Sequence, residues 1–126
     1  MAASATQLVI FAEPAFAVGQ PLGAGGQQWK RTAPAPGAFP YSALGSDFIV
    51  AVTNTAAART VSLPQASAAI VGEPYLVKDE SGAAGTNNIT VNVTGGGTID
   101  GAASKVINTN YGSLRFYTDG ANWFTW

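Results

Sequence analysis

Four acidic side chains, Asp79, Glu80, Asp100 and Asp119, are the first candidates for acid–base or metal chemistry in this sequence. Asp79 and Glu80 are the only adjacent carboxylates. Neighbours in a strand project to opposite faces, so they make a poor pair for general acid and base on one substrate. With Asp100 or Asp119 they would supply the oxygen ligands that calcium takes. No spaced Asp-rich loop supports this, and the acids fall in the turn motifs Asp79-Glu80-Ser81-Gly82, Asp100-Gly101 and Asp119-Gly120. Turn chemistry accounts for all four, and no metal is expected. The run Gly95-Gly96-Gly97 lacks the following Lys-Ser/Thr and the helix start of a phosphate loop, so it reads as a turn. His and Cys are both absent. That removes His or Cys zinc sites, haem, iron–sulfur clusters, thiol nucleophiles, His general bases and disulfides. The expectation is no catalytic residue, no cofactor and no enzyme activity.

Binding chemistry is better represented. Trp123, Phe124 and Trp126 form a C-terminal aromatic cluster, and strand alternation puts Phe124 and Trp126 on one face with Trp123 opposite. An exposed pair could stack on sugar rings. Alternatively, Phe124 and Trp126 plug the domain core or an oligomer axis while Trp123 packs on Tyr117 across the hairpin, and packing is the favoured reading. Asn87, Asn88, Asn92, Asn108, Asn110 and Asn122 suit turns first and sugar hydroxyls second. Lys30-Arg31 beside Trp29 is by default a solvated loop.

The elements that hold these residues follow from length and pattern. The chain has 126 residues, enough for one domain or a small domain with an arm. Charged residues are 10% of the chain, against about 25% in typical soluble domains. Six Lys+Arg oppose seven Asp+Glu, which leaves no basic field for nucleic acid or anionic lipid. Residues 1–7 carry no positive side chain and the apolar run 8–12 is short, so neither a signal peptide nor a membrane span is expected.

Two compositions divide the sequence. Residues 1–46 are Ala-, Gly- and Pro-rich, with one strand-like run at 7–12. Prolines and glycines then exclude a helix or interior strand of ordinary length. The region nevertheless keeps Phe11, Phe16, Trp29, Phe39 and Tyr41. These are expected either to anchor an arm on a partner or to cover the chain's own core. Residues 47–126 read as an all-β domain, a small antiparallel sandwich or barrel. Strand faces are set by Phe48, Val50 and Val52, by Val61 and Leu63 before Pro64, and by Tyr75 and Val77. Ile89, Val91 and Val93 alternate with Asn88, Thr90, Asn92 and Thr94. Shorter strands are expected near Thr98-Ile99, from Val106 to Asn108 and at Leu114 and Phe116, with an Asp119-Gly120 hairpin into Trp123-Phe124-Thr125-Trp126. Residues 66–71 fit at most a single helical turn.

A β-domain of this size without disulfides or metal is marginal alone. Its outward positions are Thr, Asn and Ser rather than Lys or Glu, leaving edges without charge protection. Self-association or incorporation into a lattice is therefore expected.

From residue 60 onward the chain resembles a module of tailed-bacteriophage virion proteins, found in tail fibres, tailspikes and head fibre or decoration proteins. The resemblance rests on Thr60-Val61-Ser62-Leu63-Pro64 and Gly72-Glu73-Pro74-Tyr75-Leu76-Val77-Lys78-Asp79-Glu80-Ser81-Gly82. It continues through Asn87-Asn88-Ile89-Thr90-Val91, Gly96-Gly97-Thr98-Ile99-Asp100-Gly101, Ile107-Asn108-Thr109, Tyr111-Gly112-Ser113-Leu114 and Asp119-Gly120-Ala121-Asn122-Trp123. It implies a virion structural protein made in the bacterial cytoplasm, often a homotrimer. The N-terminal region would attach to a major capsid or other virion protein, and a host surface glycan is the alternative partner. No role with nucleic acid or membrane is expected.

Overall fold

The computed structural model of the protein describes residues 29–126. Alternating β-branched and aromatic residues build short strands, each with one apolar face. Five of them, β1 (Arg31–Thr32), β3 (Ile49–Val52), β5 (Tyr75–Asp79), β8 (Ser113–Thr118) and β9 (Trp123–Thr125), form one sheet in that order. The other sheet runs β2 (Tyr41–Ser42), β4 (Arg59–Leu63), β6 (Ile89–Val93), β7 (Ser104–Ile107). The all-β expectation holds.

The pairing is not wholly antiparallel, as expected, but mixed. From β1 to β6 the chain changes sheet at every strand, so strands two apart in sequence lie side by side and parallel. Parallel neighbours need a crossover, and here a strand of the opposite sheet supplies it. The result is a two-sided coil. Its last strands, β7, β8 and β9, turn back antiparallel and finish both sheets.

The coil also revises the boundary expected at residue 46. The described part of that segment, from Trp29 on, is built into the domain: β1 lies on β3 and β2 on β4. Strands only two residues long fit between the prolines because they sit at sheet edges, where one side needs no partner. A 3₁₀ turn at Pro36–Ala38 connects them. Whether residues 1–28 form an arm lies outside the described residues.

Both sheets close on a single core. Val50, Val52, Val77 and Phe116 from one meet Val61, Leu63, Ile89 and Val91 from the other, all with no exposed surface. Ile99, expected in a short strand, forms only isolated bridges to Ala102 and Trp123. The expected turn at 66–71 is a 3₁₀ turn at Ala66–Ala68. Across the second sheet Ser42, Ser62, Asn92 and Ser104 are in register, as are Thr60, Thr90 and Val106, with no charge among them.

Candidate functional site

Two surfaces gather the residues singled out by sequence, one in the first coil and one on the C-terminal hairpin. In the first coil, Asp47 is the organising group. Its buried carboxylate accepts hydrogen bonds from the Thr32 hydroxyl (2.7 Å), the Tyr41 hydroxyl (2.6 Å) and the Leu44 N–H (3.0 Å). Lys30 Nζ stands 3.9 Å away. Burial pushes the Asp47 carboxyl up, but these donors and the Lys30 charge together hold it below the usual carboxylate range. The same contact, with burial acting first, raises the Tyr41 phenol well above its ordinary value.

The apolar residues proposed as anchors divide. Trp29 is 72% exposed and packs in an edge contact with Phe48, at 4.3 Å between ring centroids. Phe39 and Tyr41 are half-buried against the domain's own core, Phe39 also lying beneath the Arg59 guanidinium at 5.2 Å. Those two therefore follow the reading in which the segment covers its own core. Phe11 and Phe16 lie outside the described residues. Sequence reasoning missed Leu44, which is 57% exposed beside the Asp47 turn and had no strand pattern to mark it.

On the hairpin, the faces alternate as expected but the assignment to core and surface is reversed. Trp123 is fully buried, edge-on to Tyr75 at 5.3 Å, and its Nε1–H donates to the Pro64 carbonyl at 2.9 Å. Phe124 and Trp126 are on the outer face with Tyr117, 5.6 and 5.5 Å from it. Register explains the reversal: Trp123 pairs with buried Thr118 beside the inward Phe116, so its parity points inside. The Arg115 guanidinium lies 5.1 Å from the Trp126 ring, whose residue keeps 55% of its surface exposed. Cation–π contacts of this kind hold an exposed ring in place.

The carboxylates weighed for chemistry have structural partners. Asp79, buried, accepts five hydrogen bonds: from Ser81 N–H and Oγ, Gly82 N–H, Ala84 N–H and Tyr111 N–H, at 2.9–3.0 Å. Burial works against its charge and these donors outweigh it, so its pKa is depressed. Glu80 forms a bidentate pair with Arg31, at 3.0 Å from Nε and 2.5 Å from Nη2, and hydrogen bonding to that guanidinium lowers its pKa. Asp100 accepts from the Thr125 hydroxyl and N–H and is 3.3 Å from Lys105 Nζ. Asp119 accepts the Asn122 and Ala121 N–H groups in the hairpin turn. The four carboxylates thus occupy separate networks, and among the described residues no three ligand-type side chains come together. The Gly95-Gly96-Gly97 run ends β6 as a turn, with Gly95 and Gly96 at φ of 82° and 91°.

What these surfaces can do is adhere. One end offers Trp29 and Leu44, and the outer face of the other offers an ordered aromatic cluster beside a cation. No protein-family model matches the chain, and a search of curated proteins finds no relative.

Proposed function

We propose that the chain is a bacteriophage virion structural protein, a head-decoration or fibre subunit held to the particle by its N-terminal region with the β-domain displayed outward. The observation that carries this reading is the polarity of the coil. β1 and β2 are the edges of the two sheets nearest the chain's beginning, while β9 and β7 are the opposite edges. An N-terminal attachment thereby leaves the hairpin end facing outward. The resemblance of residues 60–126 to phage virion modules supports the same reading.

Trp29 and Leu44 offer exposed apolar surface for attachment, whereas Phe39 and Tyr41 are partly buried against the domain's own core. The uncharged Ser, Thr and Asn rows of the second sheet suit close packing between copies, as in the homotrimer that the resemblance implies. The Asp47 network and both sheets are built from residues 29–126, so removing residues 1–28 is expected to abolish co-sedimentation with particles while preserving the β-type circular dichroism. Retained particle binding by this truncated chain overturns the reading.

One observation favours a second reading, a glycan-recognising receptor-binding module: Trp126 is on the surface, steadied by Arg115, rather than in the core. Aromatic faces stack on the apolar side of sugar rings, and a guanidinium donates to hydroxyls. A glycan array with Trp126→Ala as control tests it, and the absence of binding by the intact chain removes it.

A further inference from the structure

Aromatic surface and positive charge meet on the outer face of the first sheet. Alternation turns Arg115 and Tyr117 of β8 outward, since Phe116 and Thr118 are buried. Register sets half-buried Leu76 of β5 beside Arg115, and Lys78 beside Ser113. On the other flank Phe124 pairs with Tyr117, and Trp126 follows on the same side. The charges of this face do not balance. Arg31, Lys78 and Arg115 stand on it against one acid, Glu80, just past β5, and Arg31 already holds that acid. Lys78 Nζ donates to the neutral Tyr111 carbonyl, and Arg115 has no carboxylate within ion-pair reach among the described residues. The in-register Ser, Thr and Asn rows outside the second sheet carry no charge, so the excess belongs to this face.

We propose that this face binds an acidic saccharide, its outer rings taking the apolar side of a sugar and Arg115, with Lys78 nearby, taking the carboxylate. This names the ligand class of the glycan-recognising reading and rests on it. A guanidinium presents a planar fork of N–H donors that matches a carboxylate in two parallel bonds. Its place over the Trp126 ring fixes the Arg115 group while leaving those edge donors available. Stacking surface and anion receptor are thereby side by side, as a ring bearing a carboxylate requires. A nucleic acid also combines stacking with negative charge, but its repeated phosphates call for a longer cationic track than three side chains, one of them neutralised.

Binding of the full-length chain to an array of galacturonate, glucuronate and sialate oligosaccharides, printed beside their neutral counterparts, tests the proposal. The acidic members are expected to bind at least about tenfold more tightly than the neutral ones, by a margin that shrinks as salt is raised. Arg115→Gln, at an exposed position, should lower acidic binding by about tenfold or more while preserving the β-type circular dichroism. In solution the bound acidic saccharide should shift the amides of β8 and β9 rather than those of β6. Equal binding of neutral and acidic members overturns the acidic assignment and leaves glycan recognition standing, whereas no binding to any member removes both. Undiminished acidic binding in folded Arg115→Gln, or shifts centred on β6, overturns the site. So does oligothymidylate binding as tight as that of the acidic glycans, which marks a general polyanion surface.

Discussion

The Tyr41 hydroxyl donates a 2.6 Å hydrogen bond to the Asp47 carboxylate and thereby ties the edge of one sheet to the turn that leads into the other. Thr32 donates to the same carboxylate from β1, so a single acid fastens both strands of the first coil. These strands are two residues long and gain little from ladder bonds alone, which makes the coil depend on this acid.

The pH dependence follows from the two shifts. Asp47 is depressed, so its contribution is present above the ordinary carboxylate pKa of about 3.9 and is lost as pH falls through the lower folded value. Tyr41 is raised, so its contribution is complete below the ordinary phenol pKa of about 10 and is lost as pH rises through the higher folded value. The first coil should loosen below about pH 4 and again above about pH 10, ahead of the remaining strands. Amide exchange at Thr32 against Val77 measures this, and Asp47→Asn should remove most of the acid limb. Synchronous loosening of both residues at both extremes contradicts it.

Asp79 carries a heavier load. Its five donors include the N–H of Tyr111, a non-glycine residue held at φ 60°. Asn at this position turns an amide NH₂ toward N–H groups and leaves buried donors unpaired, at roughly 1–3 kcal/mol each. Asp79→Asn should cost about 3 kcal/mol in denaturant unfolding, with a melting temperature lower by on the order of 10 °C or more. A loss below about 1 kcal/mol shows that the 79–84 and 109–112 loops hold without it.

Tyr75 predicts the opposite sign. It is 1% exposed and its hydroxyl has no hydrogen-bond partner among the described residues, as is also true of Glu73 Oε1. Deleting an unpaired buried hydroxyl removes a desolvation cost while the ring keeps its edge contact with Trp123. Tyr75→Phe should therefore be neutral or stabilising by up to about 1 kcal/mol in chemical denaturation. Destabilisation beyond that reveals a partner, such as a bridging water, for the hydroxyl.

The strands were legible where apolar residues alternate against polar ones, and Ile89–Val93 and Tyr75–Asp79 match their expected faces. Their parallel pairing was not. Partners such as Val61 and Val91 lie thirty residues apart, and nothing in a period-two pattern records which strand comes alongside. Composition also hid β1 and β2, because a Pro-rich stretch reads as irregular even when two-residue segments of it complete a sheet edge. At the candidate surfaces, alternation separated Trp123 from Phe124 and Trp126 but could not tell inside from outside. Aromatic side chains are large enough to satisfy either face, and the deciding fact is the register with Phe116 and Thr118 on β8.

That reversal makes the two tryptophans a sharp pair of substitutions. Trp123 fills the core, packs edge-on against Tyr75 and satisfies the Pro64 carbonyl, so Trp123→Ala leaves a large cavity and an unpaired acceptor. A loss of about 3–5 kcal/mol is expected, enough to unfold a marginal domain. Trp126 packs on the outside against Tyr117 and Arg115, and Trp126→Ala should cost no more than about 1 kcal/mol. Thermal unfolding of both variants settles the contrast, with equal losses contradicting the placement of Trp123 in the core. It also decides how ligand assays are read. Lost glycan binding in Trp126→Ala reports on the surface cluster, whereas lost binding in Trp123→Ala reports only that the fold has gone.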